Sequence, residues 1–462
     1  MDHTGNLPVE ILQTILEHMS QEHVGAFLQT SQHSHSHRGY NLYRHIDISY
    51  QDPQQIFQLC ALSFSKDYIS KYARTLTINT FRLRLPSESP PPLNDEELIL
   101  QWIAKLFPYP PMDKRSRYIL VQCEKNRKLW HCGFLKSVIN AMLASILVNG
   151  TNLQQVSLQT AALGSQPTFA ELVCSKVAYD YAMGVETFPK IRRFSFTPSY
   201  MDNGVPLLPN LHHFALHYAT AGVGLCIHPL KCTELGTLRS LTFRHVYAAG
   251  DKVRGLLALT NFPFLKELCI FEGSWNDDLS YPDLVSLIHN RCPSLQTLVL
   301  DFMDNADEDP SNKPKPLFYL LASVTSARIH VRHLPDSYQD LAYILASGHP
   351  AWPESVQRLE ITGLAVPMLN AMAAAYVMSQ PVGIKLASVQ ELRLTFESNA
   401  AQSAPFDQDL RDFDSVLVDV IDAGRRKGVY IGVYQRRTGD LDAVDEFHMG
   451  HETKAILGQE DE

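Results

Sequence analysis

The sequence contains no Cys-x-x-Cys pair. Its cysteines, at 60, 123, 132, 174, 226, 232, 269 and 292, stand apart. That spacing excludes the usual zinc cassettes and gives no disulfide framework, so the expectation is a reduced chain, cytoplasmic and/or nuclear. Long apolar runs are missing too. None reaches the ~18 residues of a membrane-crossing helix, and the longest candidate, Val138 to Val148, is interrupted by Asn140 and Ser145. No basic-then-apolar leader pattern opens the chain, and no membrane partner is expected. A positive balance is lacking: Lys and Arg number 40 against 49 Asp and Glu, net charge −9, pI about 6.1. This argues against a general nucleic-acid binder. The catalytic signatures Gly-x-Ser-x-Gly, Gly-x-x-x-x-Gly-Lys-Ser/Thr and His-Glu-x-x-His do not occur, so neither an enzyme nor a cofactor is expected.

What the sequence does contain is a repeat. From residue 134 onward, helical stretches alternate with apolar-x-x-apolar-x-apolar. The motif stands at Leu153/Val156/Leu158, Ile191/Phe194/Phe196, Leu211/Phe214/Leu216 and Leu238/Leu241/Phe243. It returns at Leu265/Leu268/Ile270, Leu295/Leu298/Leu300, Val356/Leu359/Ile361 and Val389/Leu392/Leu394. A degenerate copy lies at Val324/Ala327/Ile329, and Ala73/Leu76/Ile78 is the candidate first copy. From Phe214 to Leu392 the middle residues recur every 27 to 33 positions. One strand and one helix bury no core alone, and stacking neighbours solves that. The fold class expected is α/β, with strands and helices in alternation.

Strand alternation turns the last two apolar residues of each motif inward and the residues beside them outward. Read in order, the outward set includes Thr242/Arg244, Cys269/Phe271, Val299/Asp301, Arg328/His330 and Glu360/Thr362. Phe271 and Val299 form an apolar spot with Arg244 on one side and Arg328 on the other. An apolar spot flanked by arginines has the composition of a binding hot spot. Arg244, Phe271, Val299, Asp301, Arg328 and His330 are therefore the candidate substrate-binding residues. The competing reading is that they only keep the wall soluble.

Three stretches depart from the repeat. Residues 86–128 are an insertion, Pro-rich at first and basic from 113 to 128, where a solvated loop is favoured over a docking patch. Residues 301–316 form an acidic, Pro-containing loop, and residues 439–462 a mobile polar tail. Gly428 to Tyr434 reads as a last strand, its neighbours Arg425, Arg426, Lys427, Arg436 and Arg437 guarding the edge. His33, His35 and His37 do not make a metal site if that region is helical, and Asp277/Asp278 and Asp301/Asp304 lack a partner base. No metal is expected.

The first 48 residues differ in kind. Leu12, Ile15, Leu16 and Met19 make one helical stripe, with Pro8 suited to the first turn. A second helical stripe holds Val24, Phe27 and Leu28, and Leu42 to Ile48 alternates like the start of a strand. The run Leu7-Pro8-x-Glu10-Ile11-Leu12-x-x-Ile15-Leu16, then Phe27-Leu28-Gln29-Thr30-Ser31, then Leu42-Tyr43-Arg44-His45-Ile46, resembles an F-box of the fungal type. An ordinary helical cap on a repeat domain is the alternative.

The units Asn290 to Leu300 and Phe262 to Ile270 likewise resemble the irregular leucine-rich repeats that accompany F-boxes. The usual Asn after the strand is absent from nearly every unit. The resemblance implies an F-box-like helical domain over 1–48 and a curved leucine-rich-repeat solenoid over 49–438. It also implies a function: substrate-recognition subunit of a cullin–RING (SCF-type) ubiquitin ligase. Leu7, Pro8, Ile11, Leu12, Ile15 and Leu16 would dock on the Skp-family adaptor, helix in groove, and the repeats would bind an unknown protein substrate. A repeat scaffold without a ligase role is the second reading, and a hydrolase-like α/β enzyme the third.

Overall fold

The structure, a computed structural model, describes residues 44–48, 59, 71–79, 143–144, 146–159, 173, 188, 190–197, 204–206, 208, 210–219, 224–226, 236–246, 249–275, 281–304, 318–330, 353–364, 388–398, 425, 428–437 and 444–446. The F-box-like helices, including Leu7 to Leu16, and the insertion at 86–128 lie outside these residues. The chain divides into two compact units, Met1–Cys232 and Thr233–Glu462.

Unit 1 contains β1 (His45–Ile48), β2 (Thr75–Asn79), β3 (Gln155–Gln159), β4 (Arg193–Thr197), β5 (Gly204–Pro206), β6 (His213–His217) and β7 (Gly224–Cys226). Strands β1, β2, β3, β4 and β6 pair in that order, all parallel. Strands β5 and β7 form a separate parallel pair. The alternating stretch near residue 48 is thus a strand as expected. It belongs to the repeat, however, because β1 pairs with β2 and turns Ile46 and Ile48 inward.

Unit 2 opens with β8 (Ser240–Arg244), followed by helix α1 (Ala249–Leu259), β9 (Glu267–Trp275), helix α2 (Tyr281–Arg291) and β10 (Thr297–Asp304). A short 3-10 turn (Phe318–Leu320) precedes β11 (Ser326–His330), β12 (Arg358–Leu364), β13 (Glu391–Ser398), β14 (Tyr430–Arg437) and β15 (Val444–Glu446). Strands β8 to β14 pair successively in parallel. Parallel neighbours need a crossover connection, and α1 and α2 supply two of them. Each helix turns one stripe inward: Val253, Leu256 and Leu257 on α1, and Leu284, Val285 and Ile288 on α2. None of the described helices is long and apolar enough to cross a membrane.

All ten apolar triads predicted from the sequence are buried. Their cores register directly: Leu241 beside Leu268, Leu268 beside Leu298, Leu298 beside Ala327, Ala327 beside Leu359 and Leu359 beside Leu392. Phe196, Phe214 and Phe243 give the middle units their largest fully buried side chains. This strand-by-strand stacking is the parallel, repeated arrangement that the sequence motif predicted.

Two local devices repeat with it. The first is a turn before β9, β10, β11 and β12. The N–H of Leu265 donates to the Phe262 carbonyl, Leu295 to Cys292, Val324 to Leu321 and Val356 to Pro353. Pro263 and Pro293 occupy the second turn position, where their fixed φ fits. The second is a ladder of shared carbonyls, each accepting from two consecutive amides of the next repeat. In unit 1 the Arg44 carbonyl accepts from Arg74 and Thr75, Arg74 from Gln154 and Gln155, Gln154 from Arg192 and Arg193, and Arg192 from His212 and His213. In unit 2 the same rungs run through Arg239, Lys266, Gln296, Thr325 and Gln357.

Side chains in the same turns add further rungs. Ser294 Oγ donates to the Pro263 carbonyl at 2.6 Å, Ser355 to Val324 at 2.6 Å and Ser388 to Val356 at 3.0 Å. In unit 1 Asn152 Nδ2 reaches the Lys71 carbonyl at 2.9 Å. Each rung satisfies a carbonyl that strand pairing leaves over.

Two expectations need correcting. The loop expected from residue 301 starts later, because β10 runs on to Asp304. The tail expected to be unstructured from residue 439 contains β15, antiparallel to β14. That strand pairs with Tyr434 to Arg436, part of the edge that the flanking cations were expected to guard by charge alone.

Candidate binding face

Along each strand the residues between the buried ones point to the opposite face of the sheet. In unit 2 this face holds three aligned rows. The first runs Ser240, Glu267, Thr297, Ser326, Arg358, Glu391; the second Thr242, Cys269, Val299, Arg328, Glu360, Arg393. The third includes Arg244, Phe271 and Asp301 in register, and His330 beside Thr362.

The six candidate residues do fall on this face, but they do not form an open apolar spot between two available arginines. Val299 is only 7% exposed, His330 4% and Asp301 2%. Phe271 and Arg244 are half-buried register neighbours. Arg328 starts on β11 and crosses β10. Its guanidinium donates through Nη2 to Asp301 Oδ2 at 2.6 Å and lies 5.5 Å from the Phe271 ring centre. This side chain therefore lies across the Val299–Asp301 stretch. Its Nε also faces Glu360 at 3.7 Å. An arginine among the candidate substrate-binding residues thus already holds a carboxylate of its own chain.

Sequence reasoning missed the groups that complete this network. Thr362 Oγ1 donates to Asp301 Oδ1 at 2.7 Å, so both oxygens of the buried carboxylate are occupied. Thr395 Oγ1 donates to Glu360 Oε1 at 3.1 Å. Further along, Glu391 pairs with Arg358 at 3.3 Å and with Arg393 at 2.6 Å. Gly363, at φ +72°, lies against the His330 imidazole, and any Cβ there would overlap the ring. The left-handed φ and the close approach both require glycine. The available signal was that Arg328 and Glu360 occupy equivalent positions in adjacent repeats.

Two described thiols, Cys269 and Cys292, have raised pKa values. Cys269 is pushed up to about 12, by burial first and the Glu267 carboxylate second, against the opposing pull of Arg328 and a Thr242 hydrogen bond. Burial alone pushes Cys292 up to about 12. Thiols so raised are poor nucleophiles at neutral pH. Among the described residues no group of three His, Cys, Asp or Glu is placed to hold a metal ion.

Unit 1 fills the same rows differently. The first row is His45, Thr75, Gln155, Arg193, His213, and the second Asp47, Thr77, Ser157, Ser195, Ala215. His45 Nδ1 and Thr75 Oγ1 are 2.7 Å apart. Burial, and then the Arg44 charge beside it, lower the His45 pKa. The face is mostly small and uncharged along its middle, with cations concentrated where the strands begin.

No family model and no curated protein matches the chain. Among solved structures, the crystal structure of the leucine-rich repeat-containing protein LegL7 from Legionella pneumophila is similar. It is 12% identical, covers 71% of this chain and 89% of that one, and has a TM-score of 0.31. A likeness that faint carries no weight here, and the stacked parallel strands rest on this chain's own registers.

Proposed function

We propose that the chain is a repeat scaffold that binds protein partners along the outward face of its strands. The observation that carries this is the alignment of outward residues into continuous rows, strand after strand, in each unit. Such rows offer an extended surface and no need for chemistry of the chain's own.

The finer reading is a non-catalytic substrate-recognition subunit of a cullin–RING ubiquitin ligase, supported by the F-box-type pattern of residues 7–46. In this reading Leu7, Pro8, Ile11, Leu12, Ile15 and Leu16 dock on the Skp-family adaptor, and other subunits transfer ubiquitin. The test is co-purification of the full chain with that adaptor, compared with Leu7→Ala combined with Pro8→Ala. Each lost apolar contact costs on the order of 1–3 kcal/mol, so the double variant should lose the adaptor while its melting is unchanged. Equal recovery of the adaptor with both proteins sinks the ligase reading and leaves the scaffold.

A further inference from the structure

Three departures from the repeat meet at one corner of unit 2. The residue just before the inward triad is Ser294, Ser323, Ser355 and Ser388 in four repeats. The hydroxyls of Ser294, Ser355 and Ser388 donate to carbonyls of the preceding repeat. Ahead of β9 the same position holds Phe264, which has no hydroxyl to give and is 59% exposed. The residue just after the first apolar member of the triad is neutral in the later repeats, at Gln296, Thr325, Gln357 and Gln390. At β8 and β9 it is Arg239 and Lys266. The carbonyl ladder sets these two cations on consecutive rungs, the Arg239 carbonyl accepting from the Lys266 and Glu267 amides. Neighbouring strands lie about 4.8 Å apart. Both side chains are exposed, and among the described residues neither has a hydrogen bond or an ion pair. Leu265 is buried between Phe264 and Lys266, so both of these project away from the core. The Ser294 bond to the Pro263 carbonyl brings the next turn, with its exposed Pro293, against the same corner. The acid beside them, Glu267, stands in the outward row between Ser240 and Thr297, where its carboxylate acts on Cys269.

We infer that this corner docks a segment of a partner protein in which apolar side chains are flanked by Asp or Glu. The apolar residues pack on the Phe264 ring and Pro293, and the carboxylates face Arg239 and Lys266. This rests on the scaffold reading above and adds a site and a partner chemistry to it. Aromatic residues and arginine are enriched at the centres of protein interfaces. Covering the Phe264 ring removes apolar surface from water, which the isolated chain leaves wet. Arg239 and Lys266 break no ion pair among the described residues when they meet a carboxylate, so their attraction to it is not offset by a lost partner. Single-stranded nucleic acid is the competing occupant. It stacks successive bases on several rings, whereas the described residues 236–241 and 261–267 offer one exposed ring. The Glu267 carboxylate and the chain's net charge of −9 also oppose a polyphosphate backbone.

The experiment measures binding of the fluorescent peptide Glu-Glu-Leu-Leu-Glu-Glu to the full chain by anisotropy. Gln-Gln-Leu-Leu-Gln-Gln, Glu-Glu-Gly-Gly-Glu-Glu and oligothymidylate are the comparison probes. The first peptide should bind more tightly than all three. Phe264→Ser should lower its affinity at least about fivefold. Arg239→Gln with Lys266→Gln should lower it about threefold or more at low salt, and the difference should shrink as salt rises. These substitutions install residues that other repeats carry at the same positions, so the melting temperature should hold. If Phe264→Ser lowers it, Phe264→Asn takes its place with the same direction expected. Tyr430→Gln, at the exposed aromatic of β14, should change binding less than about twofold. Undetectable binding of the first peptide overturns the proposal, as does tighter binding of oligothymidylate. Binding indifferent to the corner variants but reduced by Arg358→Gln with Arg393→Gln also overturns it, and leaves the scaffold reading with its surface on the outward rows.

Discussion

The two units use one strand motif and differ in what they place beside it. In unit 1 the outward middle row is Asp47, Thr77, Ser157, Ser195 and Ala215, and the described Lys and Arg residues lie at the strand starts. In unit 2 the same row is Thr242, Cys269, Val299, Arg328, Glu360 and Arg393, and its charged members pair with one another or with Asp301 and Glu391 of the rows beside it. Inward residues are equivalent in the two units because stacking dictates them. Outward residues are under no such demand, so they carry the difference. One face therefore invests its charge in holding its own strands together, while the described middle row of the other is mostly small and uncharged.

The largest effects should be the same in both units. Phe214→Ala in unit 1 and Leu298→Ala in unit 2 each open a cavity at a buried middle position. Losses of about 3–5 and 2–5 kcal/mol are expected in chemical denaturation. A variant that unfolds at the wild-type midpoint removes its strand from the repeat register and breaks the parallel between the units. The next comparison should separate them. Arg328→Ala strands the buried Asp301 carboxylate and should cost about 2–4 kcal/mol. That is below a fully buried pair because Arg328 keeps 21% of its side chain exposed. Arg193→Ala, on an exposed side chain of unit 1, should stay within about 0.5 kcal/mol. Equal losses at the two arginines would mean that unit 1 also pairs its charges internally. The last comparison concerns the turns. Ser355→Ala removes one hydroxyl rung and Asn152→Ala its unit 1 counterpart, each worth about 1 kcal/mol. Faster amide exchange at Val356 or Leu153, confined to the altered turn, is the sensitive readout.

The inward half of the fold was legible in the sequence because one rule repeated governs it. A buried strand start needs three apolar residues at fixed spacing, and even the degenerate Val324/Ala327/Ile329 keeps them. The outward half was not. Asp301 looked like the first acid of a loop, and its partners Arg328 and Thr362 lie on other strands, 27 and 61 residues away. Only the register brings them together. Arg328 was taken for an arginine awaiting a ligand because sequence alone does not show that its side chain crosses β10. Val299 sits where alternation places it, but burial beneath that crossing is a property of its neighbours. Strand β15 was hidden by its shortness, with Val444 as its one apolar residue among acids.

The shared-carbonyl ladder has a consequence for how such a chain can change. What fixes a rung is one carbonyl and the two amides it accepts, whatever lies between them in the sequence. From Gln296 to Thr325 the intervening chain is short, but from Arg74 to Gln154 it is more than twice as long, and both rungs close at 2.7–3.1 Å. Closing the longer loop adds only about 0.9 kcal/mol of entropy, because the penalty grows with the logarithm of length. Whole segments can therefore be grafted into or cut from the crossovers at little thermodynamic risk. The strands act as a chassis, and new recognition elements can be tried in the loops without rebuilding it.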